Sequence, residues 1–186
     1  MRMLVAFASR NGATAAIADR IAERIRLAGI DVDCVSVTEA PMVSSYDAFV
    51  VGSAVYIGRW EKEARAFVES HAEILAGRPT WLFSSGPLGT EPTLENGEDK
   101  LEGAVEATEL QRLTELVRPR DHAVFFGAFD AGRAGVGIRM FRLLPAGRKL
   151  LEEGDFRDWP AIEAWADEVA AAAAQHEPVA ASAIVG

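Results

Sequence analysis

Two hydroxyls, an amide and a glycine stand together near the start of the sequence, between an apolar run and a helical pattern. The glycine, Gly12, permits a tight backbone turn, and the first turn of a helix offers unpaired N–H groups and the positive end of the helix dipole. Ser9, Asn11 and Thr14 add side chains that donate hydrogen bonds. The stretch therefore predicts a neutral site for a bound anion such as phosphate; an ordinary helix cap and turn is the alternative interpretation. Neither the Walker lysine pattern nor G-x-G-x-x-G is present, which disfavours nucleoside triphosphates and dinucleotides.

Two more loops of small and polar residues follow apolar runs further along the chain. The first is GSAVYIGRW at 52–60, and the second is SSGPLG at 84–89. A planar ring fits against such loops; the alternative is that the first is a tight turn whose Tyr56 and Trp60 pack on the next helix. If the preceding runs are parallel strands, the three loops converge on one crevice at the carboxyl ends of those strands.

Strand-like and helix-like patterns alternate along the chain. Apolar runs bounded by turn residues indicate strands, and apolar residues at spacings of three and four indicate helices. The predicted strands span 2–8, 30–37, 47–54, 79–85 and 122–129, and the predicted helices span 17–28, 64–75, 101–117 and 159–175. Because parallel strands need crossover helices, this order predicts an α/β fold with a doubly wound parallel sheet.

The three loops taken together resemble those of the flavodoxin family. SRNGAT at 9–14 is similar to the family's phosphate loop, and the loops at 52–60 and 84–89 are similar to its two flavin loops. More narrowly, SRNGAT, YDAFVVGSAVYIGRW and FRDWPAIEAWADEVA resemble the flavodoxin-type, menaquinone-dependent protoporphyrinogen oxidases. The resemblance implies a flavodoxin-like, five-stranded sheet of order 2-1-3-4-5 with helices on both faces. It also implies a single FMN-binding domain over residues 1–177, followed by a flexible tail at 178–186.

The resemblance further implies which residues bind FMN. The phosphate is expected at Ser9, Arg10, Asn11, Gly12, Ala13 and Thr14, and the ring at Ala54, Val55, Tyr56, Ile57, Gly58, Ser85, Gly86, Pro87, Leu88 and Gly89. No residue is identified as a catalytic acid or base, since the flavin carries the electron chemistry. The chain is expected to be an FMN oxidoreductase with a small or porphyrinogen-like donor and a quinone acceptor. Two alternatives stay open, namely an electron carrier with no substrate of its own and a flavin-free binding module.

A basic segment at 132–151 stands where a short flavodoxin would run straight into its last helix. It holds four arginines and one lysine and no acidic residue. A short amphipathic helix is predicted from three apolar residues at spacings of three, namely Ile138, Phe141 and Leu144. Pro145 would end this helix. Such a helix can rest on anionic lipid through its basic side chains, here Arg139, Arg142 and Arg148. The alternative is that the segment packs on the sheet and its arginines pair with the acidic surface.

Composition disfavours several classes of function. The chain has 186 residues and a net charge of −9, which fits one domain and disfavours nucleic acid binding, because that binding needs clustered Lys and Arg. A single cysteine excludes an internal disulfide, and the three histidines form no metal-binding pattern, so no metal site is predicted. No apolar run approaches the ~20 residues of a membrane span. The chain is therefore expected in the cytoplasm, with peripheral contact at the cytoplasmic face of a membrane through the basic segment.

Overall fold

The computed structural model describes residues 1–40, 42–89, 93, 99–132, 136–144, 147 and 151–175. Its strands are β1 (Arg2–Ala8), β2 (Asp31–Ser36), β3 (Ala48–Tyr56), β4 (Arg59–Trp60), β5 (Thr80–Ser85), β6 (Asp121–Phe125), β7 (Ala128–Phe129) and β8 (Gly154–Asp155). Its helices are α1 (Ala13–Leu27), α2 (Lys62–Ser70), α3 (Ala72–Ala76), α4 (Ala107–Val117), α5 (Val136–Phe141) and α6 (Trp159–Ala174), with a 3-10 turn at Val43–Ser45.

The five long strands form one parallel sheet in the order β2-β1-β3-β5-β6. Val5 in β1 pairs with Cys34 on one side and with Val50 on the other, which defines the register at the centre of the sheet. The predicted order 2-1-3-4-5 is therefore confirmed, with β5 and β6 as the fourth and fifth long strands. The short β4 adds an antiparallel hairpin to the end of β3.

Helices cover both faces of the sheet and create two apolar cores. On one face, Ile17 and Ile21 of α1 and Trp165 of α6 pack against inward-facing sheet residues. On the other face, α2, α3 and α4 enclose a second core that includes Phe67 and Leu113. Residues 48–54 of β3 are all buried, because this central strand has helices on both sides. With both faces covered, the loops at the carboxyl edge of the sheet are left to form a ligand site.

Three predicted boundaries are wrong, each for a local reason. The helix predicted from Leu101 begins at Ala107: residues 101 and 102 donate to Asp99 Oδ1 in a separate turn, and the Glu106 N–H donates to the Gly58 carbonyl and not to a carbonyl of the same segment. The helix predicted over 64–75 is divided into α2 and α3 at His71, whose φ of −119° lies outside the helical range. The strand predicted over 122–129 ends at Phe125, and the chain turns before β7, which pairs with β8 instead.

The basic segment contains a shorter helix than the sequence pattern predicts. α5 ends at Phe141, and the Leu143 N–H donates to the carbonyl of Met140 in a tight turn. Arg139 donates to the carbonyls of Ala131 and Gly132, and Arg142 pairs with Glu153. Both arginines therefore bond within the protein. Met140, Leu143 and Leu144 are exposed large apolar side chains in this segment; Pro145, Arg148 and the tail 178–186 lie outside the described residues.

Candidate functional site

The loops that follow β1, β3, β5 and β6 enclose a crevice of about 500 Å³ at the carboxyl edge of the sheet. It gathers most of the residues predicted from the sequence: Ser9, Arg10, Asn11, Ala13, Thr14, Ala54, Val55, Tyr56, Ile57, Ser85, Gly86, Pro87 and Leu88. Of the three predicted glycines that do not line it, Gly12 lines an adjoining cavity. Gly12, Gly58 and Gly89 all have positive φ, so they shape the loop backbones.

The first loop presents the start of α1 to this crevice. Gly12 takes a left-handed φ of 84°, and its carbonyl accepts the first helical hydrogen bond from the Ala16 N–H at 3.0 Å. The N–H groups of the intervening first turn have no carbonyl within the helix to bond. Ser9 Oγ accepts from the Gly12 N–H at 3.1 Å, which holds the loop closed, and Thr14 is buried at the crevice wall. The arrangement suits a bound phosphate, because unpaired N–H groups and the helix dipole both favour an anion.

An arginine joins the first loop to the second. Arg10 Nε donates to Glu61 Oε2 at 2.8 Å, and the Arg10 guanidinium lies 5.0 Å from the centre of the Tyr56 ring. Glu61 is buried, and its hydrogen bond and charge raise the pKa of Arg10. Burial raises the pKa of the Tyr56 hydroxyl, so that the ring presents a neutral phenol. The loop that would hold phosphate and the loop that would hold the ring are thus linked directly.

The second loop is a β-hairpin whose tip has an unusual residue. Ile57 and Gly58 form a two-residue turn between β3 and β4 with φ values of 51° and 71°. Such turns favour Asn-Gly, and a β-branched residue in the left-handed region is strained. The Ile57 side chain is 94% exposed, so no packing contact compensates this strain. The Glu106 N–H donates to the Gly58 carbonyl at 2.8 Å, which attaches the hairpin to the start of α4.

The third loop passes close to the second. A Cβ on Gly86 would lie 3.0 Å from Val55 Cβ, so a larger residue at this position would push the two loops apart. The Gly86 N–H donates to the Phe125 carbonyl at 3.2 Å. Trp60 Nε1 donates to the buried Ser84 Oγ, which lies 2.8 Å from Nε2 of the half-buried His122. This network links β4 and the end of β5 to the beginning of β6.

The sequence pattern missed a fourth wall of the crevice, which includes Gly127, Ala128, Phe129 and Leu151. These residues follow β6, where the pattern predicted an uninterrupted strand to 129. The Gly127 N–H donates to the Pro87 carbonyl at 2.9 Å and so joins the third and fourth loops. A glycine inside an apolar run is a known signal of a bulge or a close backbone approach. That signal was present in FFGAF and would have placed the break correctly.

Comparison with a family model decides the classification. A model described as "Flavodoxin domain" matches residues 4–147, which is well over half of the chain. The chain belongs to the flavodoxin family. FMN is the cofactor of this family, and its members bind it at the edge where the strand order reverses. The crevice fits that group, since unpaired amides surround one end of it and flat apolar walls surround the other.

A curated relative narrows the comparison. Protoporphyrinogen IX dehydrogenase [quinone] of Escherichia coli strain K12 is 30% identical over 94 residues, which are 50% of this chain and 52% of that protein. The protein of the same name from Escherichia coli O157:H7 has the same identity and coverage. The match thus spans about half the length of these relatives. It supports a flavodoxin-like oxidoreductase and leaves the particular donor and acceptor to be tested.

Solved structures support the fold along almost the entire chain. Two-electron reduced Megasphaera elsdenii flavodoxin superposes with a TM-score of 0.58 at 18% identity, covering 91% of this chain and 98% of that one. Streptococcus pneumoniae flavodoxin superposes with a TM-score of 0.56 at 21% identity, covering 92% and 99%. At these identities the likeness concerns the fold alone.

Neither a metal ligand set nor a membrane-spanning helix is found in the ranges that the structure describes. In those ranges, no three His, Cys, Asp or Glu side chains come together as a metal ligand set. Among the helices of the same ranges, none combines the length and the apolar character needed to cross a membrane.

Proposed function

We propose that this chain is an FMN-dependent oxidoreductase that takes electrons from a porphyrinogen-type donor and passes them to a quinone. The observation that carries the proposal is the crevice itself, with an anion-binding helix start at one end and apolar walls at the other. The likeness to a quinone-linked protoporphyrinogen dehydrogenase supports the choice of donor and acceptor. When bound, FMN supplies hydride and single-electron transfer, which no side chain can supply.

The roles of the chain's own residues follow from their positions. We assign the phosphate to the first loop, where Ser9, Asn11 and Thr14 add to the amides of the first turn of α1. We assign the ring to the walls formed by residues 54–58 and 85–89. The described crevice residues include no free carboxylate or imidazole to act as an acid or base, so these residues bind, orient and exclude water.

We further propose that the quinone approaches from the side of the basic segment, in the cytoplasm and at the cytoplasmic face of a membrane. Met140, Leu143 and Leu144 are 65%, 72% and 56% exposed and lie within five positions of the chain, and grouped exposed apolar side chains are typical of a contact surface. Arg139 and Arg142 brace this segment against residues 131–132 and 153. Lipid contact would then depend on the apolar residues, with the arginines holding them in place.

Anaerobic turnover tests the proposal. FMN-loaded protein is mixed with protoporphyrinogen and a soluble menaquinone analogue, and the fluorescence of the porphyrin product is followed against a protein-free blank. Quinone-dependent formation of porphyrin supports the enzyme. No porphyrin above the blank, together with rapid electron exchange with other redox proteins, contradicts the enzyme and favours the electron carrier. The net charge of −9 would suit a carrier, because an acidic surface can dock to redox partners.

A further inference from the structure

A second cleft lies on the other side of the β3–β4 hairpin from the flavin crevice. Its volume is about 440 Å³. It shares Arg10, Tyr56 and Ile57 with the crevice, and its remaining lining residues are Arg59, Trp60, Glu61, Lys62, Arg65 and Glu106. The hairpin is therefore the partition between two adjoining cavities.

The net charge of the residues that line this cleft is opposite in sign to the net charge of the chain. Four cationic and two anionic side chains line it, although the whole chain carries a net charge of −9. Arg10 pairs with Glu61, Arg59 with Glu106, and Arg65 at 3.8 Å with Glu109, which does not line the cleft; Lys62 has no such partner among the described residues. An excess of positive charge within a concave surface attracts anions and concentrates the field there.

Two cations of the cleft, Lys62 and Arg65, keep donors without a hydrogen bond in the part of the chain that the structure describes. Lys62 makes no hydrogen bond or ion pair with the residues that the structure describes. Arg65 Nε and Glu109 Oε1 form an ion pair at 3.8 Å, which is too long for a hydrogen bond, and both buried atoms are without one. A buried donor without a partner costs free energy that a bound acceptor would recover.

The partition between the cavities is rigid and has an apolar tip. A Cβ on Gly58 would lie only 2.5 Å from Glu106 Cγ, and the Gly58 carbonyl accepts from the Glu106 N–H, so the hairpin is held against α4. The strained residue beside it, Ile57, projects its side chain into solvent between crevice and cleft. Strain that persists without a packing contact is characteristic of functional sites.

We propose that this basic cleft binds the carboxylates of the electron donor, while the apolar body of the donor lies across Ile57 toward the flavin crevice. The ligand class is an apolar ring system or macrocycle with two or more carboxylate side chains. This inference rests on the proposed function, because it identifies which part of a porphyrinogen-type donor the chain recognises. A small ligand suits the cleft better than an acidic protein, because Lys62 and Arg65 line a concave surface.

The binding test uses FMN-loaded protein and two fluorescent probes that share one macrocycle and differ in whether their carboxyl groups are free or methylated. Coproporphyrin carries four carboxylates, and its tetramethyl ester, presented in the same mild detergent, carries none. The test variant is Arg59→Gln/Lys62→Gln, neither of which belongs to the assigned FMN site. The control is Arg20→Gln/Arg24→Gln, which removes the same charge from α1 on the opposite face, where these arginines pair with Glu163 and Asp167.

We expect the wild type and the control to bind coproporphyrin more tightly than the ester, in a manner that weakens with salt. The test variant should bind coproporphyrin roughly fivefold to tenfold more weakly at low ionic strength, because each exposed charge contributes a modest amount. Its FMN affinity and thermal midpoint should match those of the control.

Three outcomes would overturn the inference: equal affinity of the test variant and wild type for coproporphyrin, equal affinity of wild type for acid and ester, or competition by an acidic protein but not by free tricarboxylates. The proposed function is judged separately by anaerobic turnover. If the test variant forms porphyrin with an unchanged KM, the cleft does not bind the donor, and the proposed enzyme activity is still supported. If the protein binds coproporphyrin tightly but shows no turnover, the cleft is supported as a carboxylate site and the proposed enzyme activity is contradicted.

Discussion

Arg10 and Glu61 form an ion pair across 51 positions of the chain, with Nε and Oε2 2.8 Å apart. The Glu61 side chain is 3% exposed and that of Arg10 is 64% exposed, so one partner is buried and the other reaches the crevice. Glu61 Oε1 has no hydrogen bond, which makes Arg10 the main compensation for a buried charge. The pair therefore bears on both stability and the shape of the site.

Arg10→Gln should lower the free energy of unfolding by about 1–2 kcal/mol, because a buried carboxylate loses its charged partner. Adding Glu61→Gln should restore part of that loss, since the uncompensated charge is then gone. Urea unfolding at pH 7 of the FMN-free wild type, the two single variants and the double variant completes the double-mutant cycle. Simple addition of the two single losses would show that the pair is not coupled.

Thr14→Val should weaken FMN binding by roughly tenfold, because it removes a hydroxyl at nearly constant volume from the start of α1. Riboflavin, which lacks the phosphate, supplies the control: its affinity should be the same for wild type and variant. Quenching of flavin fluorescence measures both. An equal loss for FMN and riboflavin would mean that Thr14 supports the ring or the fold, and would contradict the assignment of the phosphate to this loop.

Stability should depend on pH through His122. Burial lowers the pKa of this imidazole below its ordinary 6.5, so the folded state favours the neutral ring that Ser84 contacts. Below about pH 6.5 the unfolded chain therefore binds more protons than the folded one, and stability falls as pH decreases through that value. His122→Gln should lose less stability than wild type between pH 7 and pH 5 in urea unfolding of the FMN-free protein. Parallel curves for the two proteins would refute this role.

Ile57→Asn should stabilise the protein by about 1 kcal/mol, because asparagine accepts the left-handed conformation that strains isoleucine. No packing is lost, since the side chain is 94% exposed. Gly58→Ala provides a control of opposite sign, because its φ is also positive and its Cβ would meet Glu106 Cγ. A lower urea midpoint for Ile57→Asn would indicate a contact that holds isoleucine at this tip.

Met140→Ser/Leu143→Ser should weaken binding to anionic vesicles by about tenfold or more, because exposed apolar side chains lose their favourable transfer into lipid. The matched control is Met42→Ser/Leu27→Ser, which changes an equally exposed methionine and leucine, at 75% and 73%, at the opposite edge of the sheet. Co-sedimentation with vesicles measures binding, and FMN content should be unchanged in both. Equal binding of variant and control would exclude this segment as a membrane contact.

Local signals in the sequence were sufficient for the main elements of the fold. Apolar runs marked the five long strands to within a few residues, except at the end of β6, because a strand buried on both faces needs apolar residues at every position. The glycine and hydroxyls at 9–14 marked the turn into α1. Gly12 has a φ of 84°, and few residue types other than glycine adopt this angle easily. That these loops hold the phosphate and ring of FMN stays a prediction.

The order of the strands came from resemblance to a known family, since periodicity alone does not distinguish one parallel arrangement from another. Helix ends were less accurate for a different reason. Asp99 bonds two nearby N–H groups in a turn separate from α4, and His71 interrupts a continuous apolar pattern. In both cases a single side chain or backbone angle outweighs the periodicity, and periodicity averages over such details.

Sequence by itself determined which segments are strands, which are helices and which loops have the small, polar character of a ligand site, because these properties depend on neighbours along the chain. Only the tertiary structure decided that Arg10 pairs with Glu61, that residues 127–129 form a fourth wall, and that Arg139 and Arg142 turn toward the protein. These contacts join positions whose separation in sequence carries no periodic signal. They arise when the sheet and its helices bring distant loops to one edge, where charge and shape then select the partners.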